Sequence, residues 1–200
     1  MYINGNWAAE PAGATFEVLN PATGDVIKSL PDGGREAARQ AIEAAAEAFV
    51  TWRATTPYQR ADFLMRAHAL MLERQEALAT VMTGEQGKPL RAAMMEVNYA
   101  SDFLQWFAEE GKRVYGEIIP SARPDQRFHV LHQPVGVVAA ITPWNYPISM
   151  ITRKLGPALA AGCTVVLKPA EATPLTAIET FKIFEDAGFP PGVVNLVTAE

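Results

Sequence analysis

The 200-residue sequence contains one cysteine, Cys163, and three histidines. A single cysteine excludes an internal disulfide and is typical of a reducing compartment. No uninterrupted apolar run reaches about 18 residues, so the sequence predicts no transmembrane helix. Residues 1–7 have neither a basic start nor an apolar core, so they predict no secretory signal, and we expect a cytoplasmic protein.

Basic residues are fewer than acidic ones: 17 Lys and Arg against 22 Asp and Glu give a net charge of −5. No basic cluster stands out, which argues against nucleic acid and anionic membranes as partners. The hydrophobic fraction of 49% is ordinary for a globular protein. A chain of this length can form one domain with a sizeable core.

Residues 135–171 predict a strand, a loop, a helix, a second strand and a second loop. The apolar run 135–141 is short and rich in β-branched side chains, which predicts a strand buried on both faces of a parallel sheet. Pro147 favours a first helical turn, and Gly162 favours the position just past a helix end. A further helix, with Thr173 as its N-cap, and a strand at 193–197 complete a β-α-β-α-β order. This order predicts half of a doubly wound (Rossmann-like) parallel α/β sheet.

The amino-terminal half predicts short strands followed by three helices. The strands cover residues 2–7, 16–20 and 26–27, and a turn rich in Pro, Gly and Ala separates the first two. The helices run from residue 36 to 53, from Pro57 to the segment 84–89, and from there to near Gly111. Met94, Met95 and Trp106 are interpreted as core side chains of the third helix.

Polar side chains follow the two strands of the first β-α-β unit. Ligands of open parallel sheets bind outside the carboxyl ends of the strands. Lys168 and Glu171 could hold the vicinal hydroxyls of a ribose, and a surface ion pair is the plainer interpretation. Asn145 could direct its amide at a developing oxyanion, and a turn or a helix cap is its usual role. The Gly-x-Gly-x-x-Gly fingerprint is missing after the first strand, which by itself argues against a dinucleotide.

Residues 127–133 predict a strand outside the β-α-β unit, after a polar turn at 121–126. Its plain interpretation is an edge hairpin. His129 and His132 are three residues apart, so in a strand they point to opposite faces and could not easily share one ion. The sequence therefore predicts no metal site.

The loop sequences resemble those of a known family. Residues 141–147 (Ile-Thr-Pro-Trp-Asn-Tyr-Pro) and 168–171 (Lys-Pro-Ala-Glu) are similar to the signature loops of NAD(P)-dependent aldehyde dehydrogenases. Residues 107–116 and 150–154 resemble the succinate- and glutarate-semialdehyde branch. The resemblance extends along essentially the whole chain.

The resemblance implies the amino-terminal portion of the aldehyde dehydrogenase fold. The NAD(P)-binding domain would comprise residues 1–119 and 135–200, and residues 120–134 would form an arm that joins a partner subunit's sheet. A homodimer or homotetramer is implied. The catalytic domain, with its cysteine nucleophile, would lie beyond residue 200.

The resemblance also implies a dinucleotide bound by a variant mode that does without the glycine fingerprint. NAD is the expected cofactor and NADP the alternative, because a carboxylate at Glu171 would accept a hydrogen bond from a ribose 2′-hydroxyl and repel a 2′-phosphate. The implied cofactor-binding residues are Ile141, Thr142, Pro143, Trp144, Asn145, Lys168, Ala170 and Glu171.

The implied reaction is the oxidation of an aldehyde, succinate semialdehyde or a similar acid semialdehyde, to the carboxylic acid. Asn145 would be the oxyanion donor, and Lys154 would act near the nicotinamide ribose in proton release. Arg153 would hold the distal carboxylate of the substrate, since its planar guanidinium suits a carboxylate. Two alternatives remain: a short form that only binds nucleotide or competes for assembly, and an acylating relative that uses CoA.

Cys163 does not fit the role of the nucleophile. It lies between Gly162 and the apolar strand that follows, with no histidine or other base nearby in the sequence. A reactive thiol needs an electropositive and partly exposed setting, whereas a buried cysteine behaves as a small hydrophobe. We therefore expect a structural role for Cys163.

Overall fold

The computed structural model describes residues 1–8 and 13–200. Its strands are β1 (Tyr2–Ile3), β2 (Asn6–Trp7), β3 (Thr15–Leu19), β4 (Val26–Pro31), β5 (Glu117–Pro120), β6 (Arg127–Val130), β7 (Val137–Ile141), β8 (Thr164–Lys168) and β9 (Val194–Leu196). Its helices are α1 (Gly34–Trp52), α2 (Pro57–Glu73), α3 (Gln75–Gln86), α4 (Leu90–Glu110), a short 3₁₀ turn (Gly111–Arg113), α5 (Pro147–Ala160) and α6 (Pro174–Asp186). None of the helices in these ranges is long and apolar enough to cross a membrane.

The central sheet has five strands in the order β2-β1-β9-β8-β7. β7, β8 and β9 are parallel, and α5 and α6 connect them, as the β-α-β-α-β prediction requires. Side chains of β8 alternate between two cores: Val165 and Leu167 pack with the α5 and α6 side, whereas Val166 packs with Ala37 and Ala41 of α1. Helices therefore cover both faces, which confirms the doubly wound α/β fold.

The amino terminus is a tight hairpin, so the prediction of one strand over residues 2–7 is wrong. Asn4 and Gly5 have φ values of 51° and 77°, the positive pair that a two-residue type I′ turn requires. β1 then pairs antiparallel with β9, which makes the sheet mixed. The predicted turn before β3 includes residues 9–12, which lie outside the described residues.

The helix predicted from Pro57 to residues 84–89 is two helices, and the break is at Arg74. Arg74 has φ −99° and ψ 17° and is at once the C-cap of α2 and the N-cap of α3. No glycine or proline marks this position, so the sequence pattern gives no signal for it. Arg74 forms a 2.6 Å ion pair with Asp186 of α6, so a contact with the neighbouring helix accompanies the break.

Two further predictions about burial are wrong. Met95 and Trp106 are 65% and 60% exposed, because α4 buries the face that contains Val97, Ala100 and Leu104 instead. β7 is not buried on both faces, since it is the edge strand of this sheet and Ile141 is 72% exposed. Burial on both faces is found in the central strand β8.

β5 and β6 form a separate antiparallel hairpin whose eight residues are all exposed. The strand predicted at 127–133 ends at Val130, and its partner β5 was not predicted. The hairpin begins at Glu117, three residues before the predicted start of the arm. Its role in assembly stays a prediction.

Candidate functional site

The two predicted loops begin side by side at the carboxyl edge of the sheet. β7 and β8 are in parallel register, with Ile141 opposite Lys168 at the last pair. Beyond that pair, the Thr142 N–H donates a 3.2 Å hydrogen bond to the Lys168 carbonyl. The structure therefore brings residues 142–145 and 168–171 together at one edge.

Lys168 and Glu171 form an ion pair across the second loop. The ammonium lies 3.2 Å from a carboxylate oxygen, and the side chains are 31% and 54% exposed. The Glu171 backbone N–H, followed by the Lys168 ammonium, lowers the pKa of the Glu171 carboxyl. A surface pair of this kind contributes little to stability. It does present a donor and an acceptor side by side, which suits two adjacent hydroxyl groups.

The loop after β7, residues 142–146, exposes its side chains at the tip, and other residues contact it through its backbone. Trp144 is 58% exposed, and Asn145 is also exposed. The Asn145 carbonyl accepts hydrogen bonds from Lys88 Nζ at 2.9 Å and from Gln86 Nε2 at 3.4 Å. Within the described residues the Asn145 side-chain amide makes no hydrogen bond, so its N–H groups are available to a ligand.

A buried carboxylate caps the helix that follows the first loop. Glu96 of α4 accepts hydrogen bonds from the backbone N–H groups of Ile148 and Ser149, both at 3.2 Å. The residue at the N-cap of α5 is Tyr146, which makes no side-chain capping bond. Unpaired N–H groups and the helix dipole both favour a negative charge at this end, and Glu96 supplies it from another helix.

A second buried carboxylate caps the helix that follows the second loop. Thr173 is at the predicted N-cap of α6, but its hydroxyl makes no capping bond and has no partner among the described residues. Glu85 of α3 accepts bonds from the N–H groups of Leu175 and Thr176 instead, both at 2.7 Å. The predicted capping by the Thr173 side chain is wrong, because the longer side chain from α3 takes these N–H groups.

Burial raises the pKa of Glu85 to about 7 from an ordinary 4.5, against the hydrogen bonds from Thr176 and Leu175. A raised pKa means that ionisation costs the folded state free energy. The carboxyl is protonated in both states below pH 4.5, so its stabilising contribution is complete there and is lost as the pH rises through about 7. The loss for this group is at most about 3 kcal/mol.

We therefore expect Glu85→Gln to flatten the pH dependence of unfolding between pH 4.5 and 8. Glutamine cannot ionise, so the unfolding free energy of the variant should not fall in this pH range for this reason. The difference between the variant and the parent should therefore shift in favour of the variant as the pH rises. Urea unfolding followed by circular dichroism at several pH values measures this difference. Glu47→Gln, at an exposed position of α1, is the control. A constant difference between parent and Glu85→Gln at all pH values would contradict the prediction.

Arg153 and Lys154 are exposed on α5, the helix that begins at the functional edge. Lys154 is seven residues after Pro147, which places its Cα about 10 Å along the helix axis. Helical side chains generally lean toward the amino terminus of their helix, which for α5 is the end that adjoins the loop after β7. No ion pair within the described residues involves either side chain.

Residues 7–200 match the model of the aldehyde dehydrogenase family. The chain belongs to this family. It is 54% identical over 197 residues to the glutarate-semialdehyde dehydrogenase of Pseudomonas putida. It is 53% identical over 196 residues to the succinate-semialdehyde dehydrogenase (NADP(+)) GabD of Escherichia coli K12. The predicted resemblance to the family and to its semialdehyde branch is confirmed.

Both alignments cover 98% of this chain but only 41% of the relative. A crystal structure of an E. coli NADP-dependent enzyme has a TM-score of 0.97 and 52% identity to the chain, and it covers 100% of this chain and 41% of that one. The chain thus spans about two fifths of the length of these relatives.

Cys163 of this aldehyde dehydrogenase chain is 3% exposed. Its position just before β8, in the buried layer of the sheet, fits the predicted structural role, because a nucleophilic thiol has to be reached by its substrate. Among residues 1–8 and 13–200, no three His, Cys, Asp or Glu side chains are grouped to hold a metal ion.

The sequence patterns did not identify the residues of α3, α4 and the turn between them that bind the backbone of the two loops and of the helices that follow. These are Glu85, Gln86, Lys88 and Glu96, which we call the α3–α4 corner. One signal for such residues was present, since Tyr146-Pro147 begins a helix without a local capping side chain. The signal does not say which carboxylate is the cap, because Glu96 is 52 residues away from Ile148.

Proposed function

We propose that this chain forms the dinucleotide-binding part of an enzyme that oxidises an acid semialdehyde, such as succinate or glutarate semialdehyde, to the carboxylic acid with NAD(P). The observation that supports this most is the hydrogen bond from Thr142 to Lys168, which joins the loop of Asn145 to the loop of the Lys168–Glu171 pair. Membership of the family and the two semialdehyde dehydrogenase relatives support the reaction class.

The residues at the edge fit a dinucleotide. The Lys168 ammonium would donate to one ribose hydroxyl, and the Glu171 carboxylate would accept from its neighbour. The exposed side chains of Ile141 and Trp144, with Pro143, offer apolar surface for a flat ring. When bound, the dinucleotide accepts the hydride. The proposed cofactor-binding residues are Ile141, Thr142, Pro143, Trp144, Asn145, Lys168, Ala170 and Glu171.

Asn145 is proposed to bind the substrate oxygen. Its free amide N–H groups would donate hydrogen bonds as negative charge develops there during attack by a thiol. Because Cys163 is buried, that thiol is proposed to lie outside residues 1–200. Lys154 is proposed to hold and release a proton at its Nζ, close to the ribose.

The proposal is tested with the complete enzyme by NAD(P)H absorbance on a panel of aldehydes. We expect succinate or glutarate semialdehyde to give a higher kcat/KM than neutral aliphatic aldehydes. We also expect NAD to be preferred, because Glu171 would repel a 2′-phosphate, although the E. coli relative is named as an NADP(+) enzyme. Absence of NAD(P) reduction with every aldehyde would overturn the function. A strict requirement for CoA would favour the acylating alternative, and better turnover with NADP would overturn the cofactor preference alone.

Replacement of Arg153 with leucine is expected to lower kcat/KM for succinate semialdehyde by about tenfold to a hundredfold, because a charge-assisted pair with the distal carboxylate is lost. Turnover of a neutral aldehyde of similar length should change about twofold at most. Arg35→Leu, exposed on the opposite layer in α1, is the matched control. Equal losses on the charged and neutral aldehydes would remove the carboxylate role of Arg153.

The buried thiol also favours a second candidate for the 200-residue chain by itself, namely nucleotide binding without oxidation. Titration of this polypeptide with NADH, followed by fluorescence, measures binding, and the aldehyde assay measures turnover. Binding without turnover fits this candidate. Turnover by residues 1–200 alone would exclude it.

A further inference from the structure

We propose that Lys88 is a positioning residue for Asn145, and that it acts together with Glu96. This inference rests on the proposed role of Asn145 as the oxyanion donor. It assigns a function to the ion pair between Lys88, in the turn that joins α3 to α4, and Glu96 of α4, which the reaction itself does not use.

Lys88 is held in a single place by three contacts. Its ammonium forms an ion pair with Glu96, donates a 2.9 Å hydrogen bond to the Asn145 carbonyl, and lies 4.2 Å from the centre of the Tyr146 ring. Its side chain is 13% exposed, and that of Glu96 is 2% exposed. An ammonium with three donors is thereby supplied with a carboxylate, a carbonyl and an aromatic face.

Glu96 extends the same restraint to the start of α5. One carboxylate oxygen binds Lys88, and the other accepts the N–H groups of Ile148 and Ser149. The segment 145–149 is therefore held at its carbonyl, its aromatic ring and its first helical N–H groups. One buried ion pair takes part in all three restraints, and Gln86 adds a longer hydrogen bond of 3.4 Å to the Asn145 carbonyl.

This arrangement fixes the base of the Asn145 side chain. Holding the Asn145 carbonyl sets the plane of the Asn145–Tyr146 peptide, and capping of α5 sets the direction of the chain that follows. The amide of Asn145 is then aimed by its own two side-chain torsions alone. Misplacement of a catalytic group by about 1 Å can cost a hundredfold in rate, so such a restraint affects turnover.

The chain turns sharply just before Lys88, which sets the direction of its side chain. Gly87 has φ +77°, a backbone conformation that residues other than glycine rarely adopt. A Cβ at Gly87 would also lie 3.1 Å from Pro21 Cγ. The connection between α3 and α4 is therefore a tight turn that requires glycine at position 87 and packs against the loop after β3.

The test compares Lys88→Met with Lys182→Met in the complete enzyme. Lys182 has a similar pair with Glu179 at 2.7 Å, on the exposed side of α6. We expect Lys88→Met to lower kcat by about tenfold to a hundredfold with the aldehyde KM and the NADH dissociation constant changed about twofold at most. Hydrogen exchange of the backbone amides of Ile148, Ser149 and Met150 should become faster in Lys88→Met and stay unchanged in Lys182→Met.

Lys88→Gln is one bond shorter than lysine but keeps an N–H donor for the Asn145 carbonyl, so it should recover part of the lost kcat. It also serves as the measured variant if Lys88→Met fails to fold. A merely structural role would lower the melting temperature in both variants and leave the kcat of the folded fraction unchanged, and that result would overturn the proposal.

A double-variant cycle separates positioning from an independent effect. If Lys88 acts through Asn145, Lys88→Met should lower kcat no further in an Asn145→Ala background. Additive losses would overturn the inference while leaving the proposed function intact. Absence of aldehyde oxidation by the parent enzyme would instead defeat the proposed function, and the hydrogen-exchange comparison would still report whether Lys88 holds the loop.

Discussion

Replacement of Asn145 with alanine is expected to lower kcat of the complete enzyme by about a hundredfold or more. The amide is exposed at the edge of the sheet and makes no hydrogen bond within the described residues, whereas its backbone carbonyl is bound by Lys88 and Gln86. The backbone contacts survive the substitution, so the loop should keep its place. The loss should therefore come from the missing donor to the oxygen on which charge develops.

The measurement is steady-state NAD(P)H formation, together with an NADH titration of the same preparation. Because the donor acts in the transition state, kcat and kcat/KM should fall by similar factors while the dissociation constant of NADH changes little. Asn6→Ala, at an exposed position of the amino-terminal hairpin, should leave kcat, kcat/KM and the NADH dissociation constant unchanged. A variant at Asn145 that keeps full kcat would exclude the oxyanion role.

The placement of the two loops could be predicted from the sequence because it depends on local order. Two short apolar runs with a helix between them require a parallel crossover, and parallel strands bring their carboxyl ends to one edge. The register that pairs Ile141 with Lys168 then places Asn145 and Glu171 in neighbouring loops. The α6 residues Ala177, Phe181 and Phe184, which are four and three positions apart, are all buried, as the period of an amphipathic helix requires.

Features that depend on distant partners could not be predicted in this way. The apolar pattern of β7 is that of an inner strand, yet its burial depends on which strands lie beside it. The caps of α5 and α6 come from carboxylates 52 and 90 residues away, and a carboxylate inside a helical pattern looks like a solvated surface group. The break at Arg74 has no marker residue, and a long-range ion pair to Asp186 accompanies it.

Loss of the Glu96 side chain should strongly destabilise the fold. Its side chain is 2% exposed and is shared between the Lys88 ammonium and two N–H groups at the start of α5. Glu96→Ala leaves a largely buried ammonium without its carboxylate and two buried donors without an acceptor. Removal of one partner of a buried pair costs about 3–5 kcal/mol, so we expect a loss of that size in the unfolding free energy.

Urea unfolding measures this loss, with Glu109→Ala as the control. Glu109 pairs with Lys112 at 3.3 Å and is 51% exposed, so its removal should cost less than about 1 kcal/mol. The double variant Glu96→Ala/Lys88→Met should be more stable than Glu96→Ala alone, because the uncompensated buried charge is gone. If Glu96→Ala costs no more than Glu109→Ala, or if the double variant is the less stable of the two, the charge at Lys88 does not depend on Glu96, and the segment 145–149 is held by packing rather than by the ion pair.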